Sequence, residues 1–335
     1  MFTSLKTRPG FLGRVLRGAA AFGTDRLKFL WRTSAPHSKV GFLIIFEGRV
    51  VLSASNVFQG ANDTGIYVDG ESVYRDKVET FDAATAWKGM VYIVAEHRSH
   101  VLVYDPKQGF AQGAAMGMDG GYRGRWSIAP PFEWHGTLCF CSNDDYLGNK
   151  TFGDRARIRD CVGGWSHAEF PRKCLPIDVL VVDDMPYAAM GFGWEGILGA
   201  QGLQFPGDYQ RLGTAFGQYF AGGGVRYGRS GSDKDRNGKV SVLTGGKFRT
   251  LFDTGGCGVQ HFLTAGNRLY VTGNNPDTLW TVDRNLKVEL VAAFPKEAKP
   301  DPRGGGCAIA YDPARKKIFF ARCDSRNAFV YELMT

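Results

Sequence analysis

Three oxygen-bearing side chains fall on alternate residues at Asp233, Asp235 and Asn237, and Gly238 follows them. The run Asp233-Lys234-Asp235-Arg236-Asn237-Gly238-Lys239-Val240 matches the first half of a calcium loop. In such a loop alternate oxygens converge on the ion and Gly permits the sharp turn. The second half departs from the pattern: Ser241 stands ninth, and Thr244 stands twelfth where a bidentate Glu belongs. A site made this way is short of negative charge and weak for calcium. The same residues also spell an Asn-Gly hairpin turn leading into Val240-Ser241-Val242-Leu243, which needs no metal.

Other reactive side chains show no catalytic or ligand spacing. Cys139 and Cys141 lie two apart on a predicted strand and so share a face, as buried core thiols also do. His97 and His100 flank a hairpin tip, with no third ligand marked by the sequence. Asp144-Asp145 and Asp183-Asp184 are adjacent residues, which diverge on a strand and are solvated at a turn. The chain contains no Gly-x-Ser-x-Gly, no Walker loop and no His-Glu-x-x-His.

The elements that must carry these groups are short strands. Leu269-Tyr270-Val271-Thr272 and Leu279-Trp280-Thr281-Val282-Asp283 enclose a Gly/Asn/Pro/Asp loop. Val91-Tyr92-Ile93-Val94 with Val101-Leu102-Val103-Tyr104-Asp105 repeats that unit, as does Ile318-Phe319-Phe320-Ala321 with Ala328-Phe329-Val330-Tyr331-Glu332. In all three, the first aromatic and the end of the second strand are 12 residues apart, and an acidic residue follows. Such runs bounded by turn residues are hairpin signals, and a fixed internal spacing marks a repeat fold. Turns entering apolar strands recur near 48, 89, 136, 184, 266 and 316, mostly at the spacing of a four-stranded blade. The gap of 82 residues after 184 is one blade with a large insertion or two blades.

These units resemble β-propeller repeats of the YVTN or NHL-like kind, best seen in Arg268-Leu269-Tyr270-Val271-Thr272 followed by Trp280-Thr281-Val282-Asp283. The resemblance implies an all-β propeller over residues 40–335, with six blades preferred and seven as the alternative. It implies no active site. No unit pairs a Gly-His with a terminal Trp-Asp, so a seven-bladed WD scaffold is disfavoured. Sialidase-like propellers carry several Ser-x-Asp-x-Gly boxes, and Ser230-Gly231-Ser232-Asp233 is one distorted instance. A lactonase-like propeller needs carboxylates at its channel mouth, for which Glu133, Asp144 and Glu195 are the candidates. Paired glycines at 120–121, 163–164, 255–256 and 304–306 are expected where inner strands begin beside the channel. The stretch 190–238 reads as an irregular insertion with partner-binding loops.

Net charge is +8, with 41 basic and 33 acidic residues, but it is unevenly placed. Residues 1–40 carry Lys6, Arg8, Arg14, Arg17, Arg26, Lys28, Arg32 and Lys39 against Asp25 alone. The remaining 295 residues are close to neutral, so no pull towards nucleic acid is expected from the ring. Within the basic arm, residues 1–39, Leu12, Val15, Leu16, Ala19 and Phe22 recur at helical spacing. The arm fits a mitochondrial presequence, a membrane-surface anchor or an assembly arm that orders on a partner. The last is favoured, with Arg8, Arg14, Arg17, Arg26, Lys28 and Arg32 as partner-binding residues. The final unit ends before an outer strand, so closure of the ring is expected from within Leu27–Phe46. Seven scattered cysteines argue for free thiols, and no apolar run reaches the length of a membrane helix.

The reading that results is a non-enzymatic structural or docking subunit, held to other protein subunits through its arm. A virion component of phage or virus type, or a cytoplasmic assembly, is the expected setting. The alternative is a lactonase- or glycosidase-like hydrolase, or a glycan-binding propeller, acting at the channel mouth with calcium as the one candidate ion.

Overall fold

A computed structural model of the chain describes residues 21–37, 39–56, 63–77, 81–95, 100–115, 129–143, 156–163, 166–170, 175–191, 196–202, 204–227, 233–255, 258–274, 276–295, 306–324 and 326–334. Each β-branched and aromatic run forms a strand, and the strands group into seven antiparallel four-stranded sheets. Blade 1 holds Lys39–Phe46, Arg49–Asn56, Asp63–Val68 and Glu71–Asp76, and blade 2 holds Phe81–Trp87, Met90–Ala95, His100–Asp105 and Gly109–Ala115. Blade 3 is Phe132–Trp134, Thr137–Asn143, Ala156–Asp160 and Ser166–Glu169, and blade 4 is Leu175–Val182, Met185–Gly191, Gly196–Gly199 and Gln204–Pro206. Blade 5 is Arg211–Ala215, Gln218–Gly222, Lys239–Thr244 and Lys247–Asp253. Blade 6 is Gly258–Ala265, Arg268–Asn274, Thr278–Val282 and Val288–Ala293. Blade 7 combines Cys307–Asp312, Lys317–Cys323 and Ala328–Leu333 with Leu27–Arg32 from the other end of the chain.

The first strands of neighbouring blades pack on one another at six of the seven junctions. Between blades 2 and 3 the Thr85 hydroxyl donates to the Pro131 carbonyl at 2.6 Å. Seven apolar clusters among the described residues occupy the seven interfaces between blades, one in each. Burial of these alternating faces drives the stacking, because each sheet alone leaves both faces wet. Tyr92, Tyr270 and Phe319 are each third in the second strand of their blade, the equivalence that the 12-residue spacing implies.

The preferred count of six blades gives way to seven. Two blades, 4 and 5, fill the 82-residue gap, and the turn between the first strands of blade 5 is Phe216-Gly217. A two-residue hairpin turn of type I′ needs φ > 0 at both central positions, which favours Asn, Asp and Gly. Here Phe216 adopts φ 57 and Gly217 φ 71, so an aromatic hides the turn. The stretch that reads as an insertion is therefore mostly blade. Its one addition to the blade pattern among the described residues is the hairpin of Val225–Tyr227 with Asp233–Arg236.

Closure falls to Leu27–Arg32, which pairs antiparallel with Ala328–Leu333, while Lys39–Phe46 is the innermost strand of blade 1. Just before it, Phe22 exchanges two backbone hydrogen bonds with Ala293 on the outer strand of blade 6, at 3.0 and 2.8 Å. Gly23 takes φ 60 there, where a Cβ would run into the Val291 carbonyl oxygen. Residues 22–32 thus run along the outer edges of two successive blades. Leu27 is buried between blades 6 and 7, whereas Phe29 two residues on is 51% exposed. Leu27→Ala is expected to destabilise the ring by about 2–5 kcal/mol through the cavity left in that interface. Phe29→Ser is expected to change stability by about 0.5 kcal/mol or less. Urea unfolding midpoints of the two variants check the difference.

Candidate functional site

The candidate site lies where the innermost strands begin, at one mouth of the channel. Local sequence shapes this rim through β-bulges near the start of four inner strands, at Gly41, Asp82, Ile177 and Gln260. A bulge adds one residue to one strand and re-aims the side chains beside it. At Gly41 no other residue fits, because a Cβ would collide with the Phe81 carbonyl of the next blade.

Polar side chains stitch consecutive blades along this rim. Lys39 of blade 1 pairs with Asp82 of blade 2 at 2.6 Å, the carboxylate nearly buried. Asp178 of blade 4 accepts the backbone N–H of Leu212 in blade 5 at 2.9 Å and that of Val179 at 3.0 Å. Arg211 of blade 5 donates through Nε to the Gln260 carbonyl of blade 6 at 2.5 Å, and through Nη1 to the Gln210 carbonyl at 2.8 Å. Gly306, which opens blade 7, donates its N–H to Asn274 Oδ1 of blade 6 at 3.3 Å. Arg322 of blade 7 pairs with Asp277 of blade 6 at 2.9 Å and lies over the Phe294 ring at 4.5 Å.

Enclosure sets the protonation of these groups. Burial raises the Asp178 carboxyl above the usual carboxylate range, and the Arg211 charge opposes that rise. Burial lowers His261 to about 3, helped by the Arg211 charge, so its imidazole is neutral near pH 7. Behind the rim, His37 is lowered to about 4 by burial, and its Nε2 is 2.6 Å from the Tyr67 hydroxyl. Asp178, Arg211 and His261 thus form a sequence of ionisable groups over blades 4, 5 and 6. The sequence carried no signal for this set, since each member belongs to a different repeat and none sits in a motif.

Residues singled out from the sequence are dispersed. Asp233 and Asp235 belong to an extended strand whose backbone pairs with Tyr227 and Arg226, and their side chains lie outside the described residues. Asn237 accepts the Lys239 N–H on Oδ1 at 3.0 Å and donates its own N–H to Gly224 at 3.0 Å. Asn237-Gly238 is a corner between sheets, because Lys239–Thr244 pairs with Gln218–Gly222 and Lys247–Asp253. Among the described side chains no three His, Cys, Asp or Glu gather as a metal set. Glu133 is exposed on blade 3, and Asp144, Glu195 and His97 lie outside the described residues.

Cys139 and Cys141 share one buried cluster between blades 3 and 4, and burial pushes the Cys139 thiol up to about 12. Asp184 accepts a contact from His135 Nε2 at 2.9 Å at exposed turns of blades 3 and 4. Gly255 and Gly306 precede inner strands as expected. Gly163 instead sits in the turn between the third and outer strands of blade 3, far along the chain from any inner strand start. Of the arm residues, Arg26, Lys28 and Arg32 are exposed on or beside the closing strand, and Arg26 pairs with Glu289 at 3.2 Å. Arg8, Arg14 and Arg17 lie outside the described residues.

No family model matches the chain, and no curated protein matches it. Solved structures do share its fold. Saccharomyces cerevisiae Sqt1 superposes with TM-score 0.57 at 9% identity, covering 92% of this chain and all of that one. The Neurospora crassa Pan2 WD40 domain gives 0.55 at 11% identity, covering 92% and 96%. BBS1N, solved in complex with ARL6DN, gives 0.52 at 11% identity, covering 92% and 97%. A WD40 domain is therefore a structural neighbour although the chain lacks the WD signature.

His37 and His261 give a test of this arrangement. Each is neutral in the folded protein, while the unfolded chain takes up a proton below its ordinary value of 6.5. Their contribution to stability is therefore full above that value and is lost as pH falls towards about 3 to 4. The slope is on the order of 1.4 kcal/mol per pH unit for each group. His261→Gln is expected to flatten the fall of Tm between neutral pH and pH 4, measured by calorimetry against the unsubstituted chain.

Proposed function

We propose that this chain is a non-enzymatic propeller that docks other proteins and serves as a structural subunit of a larger assembly. One observation carries the reading. The N-terminal segment is laid along the outer edges of blades 6 and 7 and joins the ring at Phe22, on the perimeter. The residues ahead of it carry Lys6, Arg8, Arg14 and Arg17 and no acidic side chain. The polar groups of the channel mouth act as ties between blades, which supports a scaffold rather than a reaction centre. BBS1N, a neighbour in fold, was captured with a partner. The finer form of this reading is a subunit of a phage or virus particle.

Removal of residues 1–20 tests it, since this leaves Phe22 and the closing strand in place. The shortened protein is expected to keep its β-sheet circular dichroism and its Tm. It is also expected to sediment alone from extracts in which the full chain sediments in a larger complex. A shortened protein that still enters the complex overturns the reading. So does a purified full chain that hydrolyses lactones or glycosides.

A further inference from the structure

We propose that the closing strand is an acid-released strap: uptake of a proton by His37 frees residues 22–37 from the edge of blade 7 while the other six blades stay folded. This goes beyond the docking role and stands without it. The topology makes release local. Leu27–Arg32 is the outermost strand of its blade and pairs on one side only, so no other strand has to move when it leaves. Beyond it, Thr33–His37 crosses towards Lys39, where the innermost strand of blade 1 begins. That link alternates, with Thr33, Ala35 and His37 buried and Ser34 and Pro36 exposed. Two backbone bonds tie it to blade 7, from the Thr33 N–H to the Ala328 carbonyl and from the His37 N–H to the Arg326 carbonyl, both 2.9 Å.

The His37 ring anchors the inner end of the link. It is 1% exposed and meets the Tyr67 ring edge-on at 5.5 Å, with Nε2 on the Tyr67 hydroxyl, while its buried Nδ1 makes no hydrogen bond. A neutral imidazole leaves one nitrogen unmatched. An imidazolium would bury a charge together with an unmatched N–H, which costs far more. The facing groups do not make up that cost. Burial raises the Tyr67 hydroxyl above its ordinary value, so it stays uncharged in acid. Asp63, which opens the third strand of blade 1, favours the charged ring through its carboxylate and its carbonyl. Arg75 of the outer strand lies 3.9 Å from that carboxylate and opposes it. On the blade 7 side, Asp324 accepts the N–H groups of Arg326 and Asn327, and Arg326 is exposed. At the far end of the link, Lys39 pairs with Asp82. Burial outweighs these charges and holds His37 at about 4. A released strap returns the ring to its ordinary value of 6.5, so the open form takes up the proton first. Release is suppressed above that value and grows as pH falls towards about 4.

The test is amide hydrogen exchange of the full chain, read by mass spectrometry and corrected for the intrinsic pH dependence of exchange. Protection of residues 27–33 is expected to fall about tenfold per pH unit between about pH 6 and 4.5, the slope of one proton. Throughout that range it should stay at least about tenfold below the protection of residues 268–274 in blade 6, which marks the opening as local. In His37→Gln the protection of residues 27–33 is expected to be flat over the same range. Glu289→Gln combined with Glu332→Gln removes the carboxylates that face Arg26 and Lys28, and it should keep the fall. Protection of residues 27–33 that ignores pH in the unsubstituted chain overturns the proposal. So does an equal slope in His37→Gln, or loss of the slope in the double Glu variant. Equal protection of the two segments also overturns it, since the ring then opens only as a whole.

Discussion

The ring depends on one antiparallel pairing between the two ends of the described chain. Leu27–Arg32 completes blade 7 against Ala328–Leu333, and the zipper continues where Thr33 and His37 donate to the Ala328 and Arg326 carbonyls at 2.9 Å. Without that strand, blade 7 would have three strands and an open edge, the kind of edge that recruits other chains. Two interfaces would also thin at once. Leu27 packs between blades 6 and 7, while Leu30 and Trp31 pack on the cluster between blades 7 and 1. The other six blades are local hairpins, able to form from neighbouring residues. The seventh joins both ends, so its pairing is the most distant in sequence and carries the largest loop-closure cost.

Channel-mouth polarity follows from the same closure. Gly306 opens blade 7 at φ 107, beside the Val40 carbonyl of blade 1 and the Gln260 side chain of blade 6. Its place between those blades exists because blade 7 is seated. The ties Lys39–Asp82, Asp178 to the Leu212 N–H, and Arg211 to Gln260 then fix the spacing of the inner strands. Buried polar contacts of this sort add little net stability, but leaving one unmatched is costly, so they specify which blades may neighbour which.

How much of this was legible depended on whether the signal was local. Strand pairs such as Val91–Val94 with Val101–Asp105 announce themselves through composition and spacing, and their equivalence across blades 2, 6 and 7 held. The seventh blade hid behind Phe216, whose φ of 57 puts an aromatic where a turn normally shows Asn or Gly. Asp178, Arg211 and His261 were invisible for a different reason. Their proximity arises from stacking three repeats, and no single-repeat pattern encodes it. The half-motif at Asp233–Asn237 shows the reverse: a local pattern whose backbone runs extended over Asp233–Arg236 and pairs with Val225–Tyr227.

The absence of a WD signature from a ring that superposes on a WD40 domain has a physical explanation. The fold asks only that each sheet be apolar on both faces and that each interface be pinned near the axis. Here the pins differ from blade to blade: an ion pair at blades 1 and 2, a carboxylate-to-backbone bond at 4 and 5, an arginine-to-carbonyl bond at 5 and 6, and Arg322–Asp277 at 6 and 7. His37 against the buried Tyr67 hydroxyl adds a further one-off solution beside blade 1. A repeat whose pins have diverged cannot show a repeated polar motif, yet its apolar periodicity survives, because burial constrains every blade alike. Away from these contacts lies the outer rim of the ring. That rim carries the closing strand, with Lys28, Phe29 and Arg32 turned outward.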